Sequence, residues 1–342
     1  MRTPYEKKPN FQFHNRVMRA KHPSFFDPIV DTKFKISDND QIMTIGSCFA
    51  QHLSNWLSIH TSNFLKNEDD IFGGRITFSG NYGNVYSVAQ LLQLFDRAFG
   101  QYTPNMETWT NAGGRFFDPL RPSVMPNGLN EHTEVLDYRS SHEAKVKELF
   151  STADVLVFTL GLTEMWVRSS DNAVLPLAPG VLAGSYDPNE VIFHNATFME
   201  VTESLTNFIE KLYSVNPSCK ILLTVSPVPL AATYEHRHVS VASMASKSIL
   251  RAAVETVVQA HDHVDYFPSF EIFYTPGIGN GYFSSDMRHV LPEGVEHAMK
   301  IFQNHFLISN AGTTASSSRE RDIIIQRLMK SYGAVVCDED RI

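Results

Sequence analysis

"QIMTIGSCFAQHLSNWL", residues 41–57, decides the fold. Its first six residues are a short apolar run closed by Gly46, and Phe49, Leu53, Trp56 and Leu57 then recur at helical spacing. A buried strand, a sharp turn and a helix are predicted, with Ser47 and Cys48 at the turn. Backbone N–H groups in the first turn of a helix lack intrahelical acceptors and favour an anion, so a thiol there is expected to be activated as a thiolate. The competing reading makes Cys48 a small buried apolar residue and Ser47 an ordinary helix cap.

The same alternation continues down the chain. "ADVLVFTLG" (153–161) reads as a second strand, and "TFMEVTESLTNFIEKLYSV" (197–215) places Phe198, Val201, Leu205, Phe208 and Leu212 on one helical face. "CKILLTVSPVPL" (219–230) is a strand stopped by Pro227 and Pro229, followed by a helix through "ASKSILRAAVETVVQAH" (245–261) and the short strand "VDYF" (264–267). Strands alternating with helices predict an α/β fold, a mostly parallel sheet flanked by helices, whose sites open at the carboxyl ends of the strands.

Two long insertions interrupt this pattern. One runs from about Gly73 to Leu136 with a single predicted helix at "VYSVAQLLQLFDRAF" (85–99), and the other follows Trp166 with "PLAPGVLAGSYDPNEV" (176–191). Such insertions form site walls or surface cover. Residues 1–40 read as an arm wrapping the core and 41–309 as the domain; 310–342 read as a flexible linker with a short helix at "IIIQRLMKSYG" (323–333).

Composition bounds the function. With 342 residues, 43% hydrophobic and 19% charged, the chain is long enough for a sizeable core. The formal net charge of −8 leaves no basic excess for phosphates, so no nucleic-acid partner is expected. Cys48, Cys219 and Cys337 form no CxxC pair, no segment is apolar enough to span a bilayer, and no signal-peptide pattern opens the sequence. A cytoplasmic protein without integral membrane association is expected.

No cofactor is expected either. GxxxxGK is missing, and the pairs His236/His238 and His261/His263 have no further partner at metal-ligand spacing. His194 reads as a structural histidine and Lys247 as a solvated lysine. The chemistry-bearing pattern is instead "YFSSDMRHVLPEGVEHAMKIF" (282–302), where Asp286 and His289 stand three apart before a final amphipathic helix. A nucleophile needs a base, and a base benefits from an orienting carboxylate.

With "IGSCFAQHL" (45–53) these residues resemble the GSCFA-domain proteins, of the SGNH (GDSL-like) hydrolase superfamily. The resemblance runs on through "NYGNVYS", "FTLGLTEMW", "LLTVSPVPLAAT", "SKSILRAA", "VDYFPSFE" and "DMRHV", covering about Gln41 to Phe306. It implies a flavodoxin-like three-layer sandwich. It also sets the Gly-Asp-Ser block of the superfamily over Gly46-Ser47-Cys48, with Cys48 as nucleophile; a register slip of one residue passes the role to Ser47. Gly83 and Asn84 then stand at the oxyanion block, and Gly161-Leu162-Thr163-Glu164 stands at Gly-x-Asn-Asp, where Thr163 substitutes a hydroxyl for the usual amide. Asp286 and His289 match Asp-x-x-His without departure, as orienting acid and general base. The implied activity is hydrolysis or transfer of an acyl ester, on a small molecule or glycan, with acyl-CoA as an alternative donor. A catalytically inactive glycan-binding or scaffold protein is the rival expectation.

Overall fold

Strand β1 (Ile42–Gly46) forms where the apolar run lies, and its side chains alternate between two buried faces as the period of a strand demands. The computed structural model describes residues 3–18, 25–68, 77–105, 108–277, 281–308, 335 and 337–342. Along the chain the elements are α1 (His14–Val17), β1, α2 (Cys48–His60), α3 (Val88–Ala98), β2 (Trp109–Thr110), β3 (Phe116–Phe117), α4 (His132–Thr152), β4 (Val155–Leu160), β5 (Glu164–Arg168), β6 (Val174–Leu175), β7 (Val191–Asn195), α5 (Phe198–Val215), β8 (Lys220–Val225), α6 (Val239–Ala260), β9 (Val264–Phe267), α7 (Ser269–Tyr274) and α8 (Pro292–Phe306).

The central sheet has the order β1-β4-β8-β9, all parallel. Met43, Ile45, Leu156, Phe158, Ile221 and Leu223 pack against α3, α4, α5 and α6 on one face; Ile42, Val155, Val157 and Leu222 pack against α2, α7 and α8 on the other. The result is a three-layer α/β architecture with a core on each side of the sheet. The outer edge of β1 is sealed by loop backbone rather than by a full strand. Ile42 exchanges hydrogen bonds with Asn63 (3.0 Å) and Leu65 (2.9 Å), and Gly46 accepts from Val85 N–H (2.8 Å). Phe64 thereby bridges Ile42 in the parallel sense, a one-residue strand on the far side of β1. The chain thus leaves β1 in one direction and returns on its other side at β4, so the carboxyl ends of these two strands flank a topological switch point.

Two glycines permit that junction. Gly46 has φ +149°, and a Cβ on it would lie 2.6 Å from the Thr159 carbonyl oxygen; a Cβ on Gly161 would lie 2.9 Å from the Ser47 Cβ.

The insertions differ from the sequence reading in two respects. Helix α4 is absent from the expectation because its buried face, Val135, Arg139, His142, Val146, Leu149 and Phe150, has the right spacing but carries two polar members. Arg139 pairs with the fully buried Asp118 (2.8 Å), which Arg121 also grips (3.0 Å), and His142 Nδ1 meets Glu68 (2.9 Å). Apolar periodicity cannot reveal a face held by ion pairs. The second insertion is a three-stranded antiparallel sheet, β6-β5-β7, and Thr163 leads directly into β5.

Outside residues 41–308, Ile36 is buried and forms a parallel bridge with Leu307. The helix expected over 323–333 lies outside the described residues.

Gly46→Ala is expected to destabilise the fold by about 3 kcal/mol or more, from strained backbone and a clash with Thr159. Arg139→Met should cost about 3 kcal/mol by leaving Asp118 underpaired. Urea unfolding followed by circular dichroism measures both.

Candidate active site

The β1 turn brings two nucleophile candidates to the switch point. Ser47 is extended (φ −71°, ψ 178°) and caps α2 through its carbonyl, which accepts from Ala50 N–H at 2.8 Å, while its side chain makes no cap. Ser47 Oγ is buried and has no hydrogen-bond partner among the described residues. It lines a small cavity with Cys48, Tyr86, Gly161, Leu162 and Glu339. Cys48 is equally buried and shares a packed cluster with Cys337.

The Asp-x-x-His pair is built by a tight turn before α8. Ser284 N–H donates to the His289 carbonyl (2.8 Å), and Met287 takes a left-handed conformation (φ 57°) to close the turn. Asp286 Oδ1 accepts from the backbone N–H groups of Arg288 (2.9 Å) and His289 (3.0 Å) and from the Ser284 hydroxyl, leaving Oδ2 for His289 Nδ1. That contact fixes the ring and leaves Nε2 facing outward. Nε2 meets Asp340 Oδ2 at 3.2 Å.

The remaining sequence candidates divide. Asn84 is buried at the site: its amide oxygen accepts from Gln51 (2.8 Å), which directs Nδ2 to Asp338 (2.8 Å). Gly83, at φ +70°, supplies the left-handed step before it and stands beside Ser123. Gly161 donates its N–H to Tyr86 (2.8 Å) and accepts the Lys247 ammonium on its carbonyl. Lys247 is therefore not solvated but buried, and burial lowers its pKa to about 8. Thr163 donates its hydroxyl to Asn195 Oδ1 (2.6 Å) and meets Ser246 (3.0 Å), which ties β5 to its surroundings. Glu164 accepts from Thr233 (2.6 Å) and lines a neighbouring cavity of ≈ 230 Å³ with Trp166, Phe193 and Tyr234.

Sequence reasoning missed the segment Cys337–Ile342. A 3-10 turn at Asp338–Arg341 inserts three acidic side chains into the site. Asp338 accepts from Asn84 and lies by the Tyr86 hydroxyl (3.4 Å); Glu339 binds Arg288 (2.8 Å); Asp340 joins Arg288 and His289. The "CDED" run at 337–340 is the sequence signal, and it follows a stretch whose composition reads as linker. His289, Cys337 and Asp340 also offer ligand atoms within 4.8 Å of one another, the one such group among the described residues. Arg288 already holds Asp340 there, and a fixed cation beside the group opposes a metal ion.

Electrostatics follow from these contacts. The Cys48 thiol is pushed well up by Cys337, by burial and by Glu339, against which the helix start does not prevail. The expected thiolate is thus a neutral thiol with the segment in place. Asp286 is held well below the usual carboxylate range by Ser284 and then His289. His289 is raised, by Asp286 first and Asp340 second. Glu339 and Asp338 are both raised by burial.

Residues 41–302 match the sequence model of the GSCFA family. The chain belongs to the GSCFA family. No curated protein matches it. The family match contains Ser47, Cys48, Asn84, Asp286 and His289, and it ends before the acidic segment.

His289 gains its proton affinity from two carboxylates and faces Arg288, Cys337 and the buried His52 besides. A raised histidine pKa contributes stability that is complete below the ordinary histidine value and is lost as pH rises through the raised one. Imidazole NMR titration should place His289 above that ordinary value. Asp286→Asn is expected to lower it most and Asp340→Asn by less; an unchanged titration in Asp340→Asn would show that the contact does not form in solution.

Proposed function

We propose that this protein is an SGNH-type acyl-ester hydrolase or O-acyltransferase that acts on a carbohydrate or glycan ester, with Cys48 as nucleophile. One observation carries the reading. The Asp286–His289 dyad opens at the carboxyl edge of the sheet, and Cys337 packs in one buried cluster with Cys48 while its Sγ lies within 4.8 Å of a His289 ring nitrogen. The space Cys337 fills is thus bordered by both thiol and base.

Cys48 Sγ attacks the ester carbonyl as His289 Nε2 takes the thiol proton, and Asp286 steadies the imidazolium. Asn84 Nδ2 is a donor for the developing oxyanion. Collapse expels the alcohol, protonated by His289, and leaves a thioester. His289 then deprotonates water or an acceptor hydroxyl, which releases the acid or the new ester and restores the thiol. A thioester passes its acyl group readily to an alcohol, which favours transfer over hydrolysis. The cavity lined by Trp166, Phe193 and Tyr234 supplies aromatic faces of the kind that pack against a sugar ring, and this favours the glycan.

The second reading, a non-catalytic glycan-binding or scaffold protein, is favoured by the occupation of His289 Nε2 by Asp340. Intact-mass spectrometry after incubation with acetyl and longer acyl p-nitrophenyl esters, and with acyl-CoA, separates the two. A donor-dependent adduct is expected that disappears in Cys48→Ala and survives in Ser47→Ala. The reverse pattern gives the role to Ser47, whose buried hydroxyl has no other partner among the described residues. His289→Ala should slow acylation by about 10²-fold or more; no adduct in any variant, Asp338→Asn/Glu339→Gln/Asp340→Asn included, supports the binding protein.

A further inference from the structure

The acidic segment fills the site as a ligand does. Asp338 and Cys337 are buried and Glu339 is half-buried, and each carboxylate finds a group belonging to the site: Asn84 for Asp338, Arg288 for Glu339, and Arg288 with His289 for Asp340. Ile342 reaches the neighbouring aromatic cavity, which Glu339 also borders. The six residues therefore span nucleophile, base, oxyanion donor and substrate cavity.

The fit is incomplete in an informative way. Ser47 Oγ and Arg288 Nε, both buried, remain without a partner among the described residues, although they sit against the segment. A permanent structural element would be expected to satisfy them.

We propose that the site is a binding site for an acidic peptide, that residues 337–342 occupy it as an inhibitory ligand, and that Arg288 is the residue that recognises their negative charge. The inhibitory part rests on the acyl-transfer reading above. Docking seals Cys48 beneath Cys337 and occupies His289 Nε2, so the thiol can neither meet an ester nor lose its proton until the segment leaves.

Alkylation of Cys48 by iodoacetamide, followed residue by residue with peptide mass mapping, tests this in the full chain. The triple variant Asp338→Asn/Glu339→Gln/Asp340→Asn and, separately, Arg288→Met should each raise the Cys48 rate by about 10-fold or more, since both release the same contacts. A synthetic peptide SDEDRI, with serine replacing cysteine so that it consumes no reagent, should restore protection to the triple variant. The peptide SNQNRI, which lacks the three carboxylates, should not, and neither peptide should protect Arg288→Met. Rates within about twofold of the parent in both variants, or equal protection by the two peptides, would overturn the proposal. Circular dichroism confirms that each variant is folded. The measurement reads the thiol rather than turnover, so a chain that transfers no acyl group can still pass it and an active chain can fail it.

Discussion

Backbone crowding at the carboxyl ends of β1 and β4 is the constraint on which the rest of this structure depends. Three stretches of chain converge there: Gly46–Cys48, Asn84–Tyr86 and Leu160–Leu162. Gly46 leaves its strand at a φ that side chains avoid, and Gly161 passes so close to Ser47 that no Cβ fits. The Tyr86 carbonyl closes the gap by accepting the N–H groups of both Gly161 (2.8 Å) and Leu162 (3.2 Å). Each stretch delivers one component of the site: the thiol and hydroxyl, the amide of Asn84, and the carbonyl that anchors Lys247. Geometry set by missing side chains thus places the chemistry-bearing ones.

Around this junction the insertions are held by charge as much as by apolar contact. Asp118, without solvent exposure, gathers Arg121 and Arg139, and Arg97 binds Glu143 nearby (2.6 Å). Removing one partner from such a group leaves an uncompensated buried ion, so its members depend on one another. The antiparallel sheet β6-β5-β7 extends from the end of β4 and carries Trp166 and Phe193 to the site's edge. The wall of the cleft and the strand that leads into Gly161 are therefore one continuous piece of chain.

The net charge of −8 conceals the local field. Arg288, Lys247 and a histidine of raised proton affinity stand together above the switch point, and an acidic segment of the same chain is drawn to them. A chain acidic on the whole can thus contain a cleft that selects anions, because interactions at contact distance in a partly buried site outweigh the diffuse repulsion of distant surface charge.

The alternation of strand and helix, the turn at Gly46 and the pairing of Asp286 with His289 were legible in the sequence because each is local: period-two or helical spacing, a glycine, a three-residue step. Asn84 was legible only through family resemblance. Helix α4 was not, because Arg139 and His142 stand at core positions whose partners, Asp118 and Glu68, are distant in sequence. The partners of Thr163 and Glu164 were not legible for a related reason: Asn195, Ser246 and Thr233 are brought near only by folding. By itself the sequence determined the fold class, the turn that carries Ser47 and Cys48, and the pairing of Asp286 with His289. Tertiary structure alone decided that Cys48 is a sealed thiol, since its protonation depends on Cys337 and Glu339, almost three hundred residues away along the chain and in contact across the site.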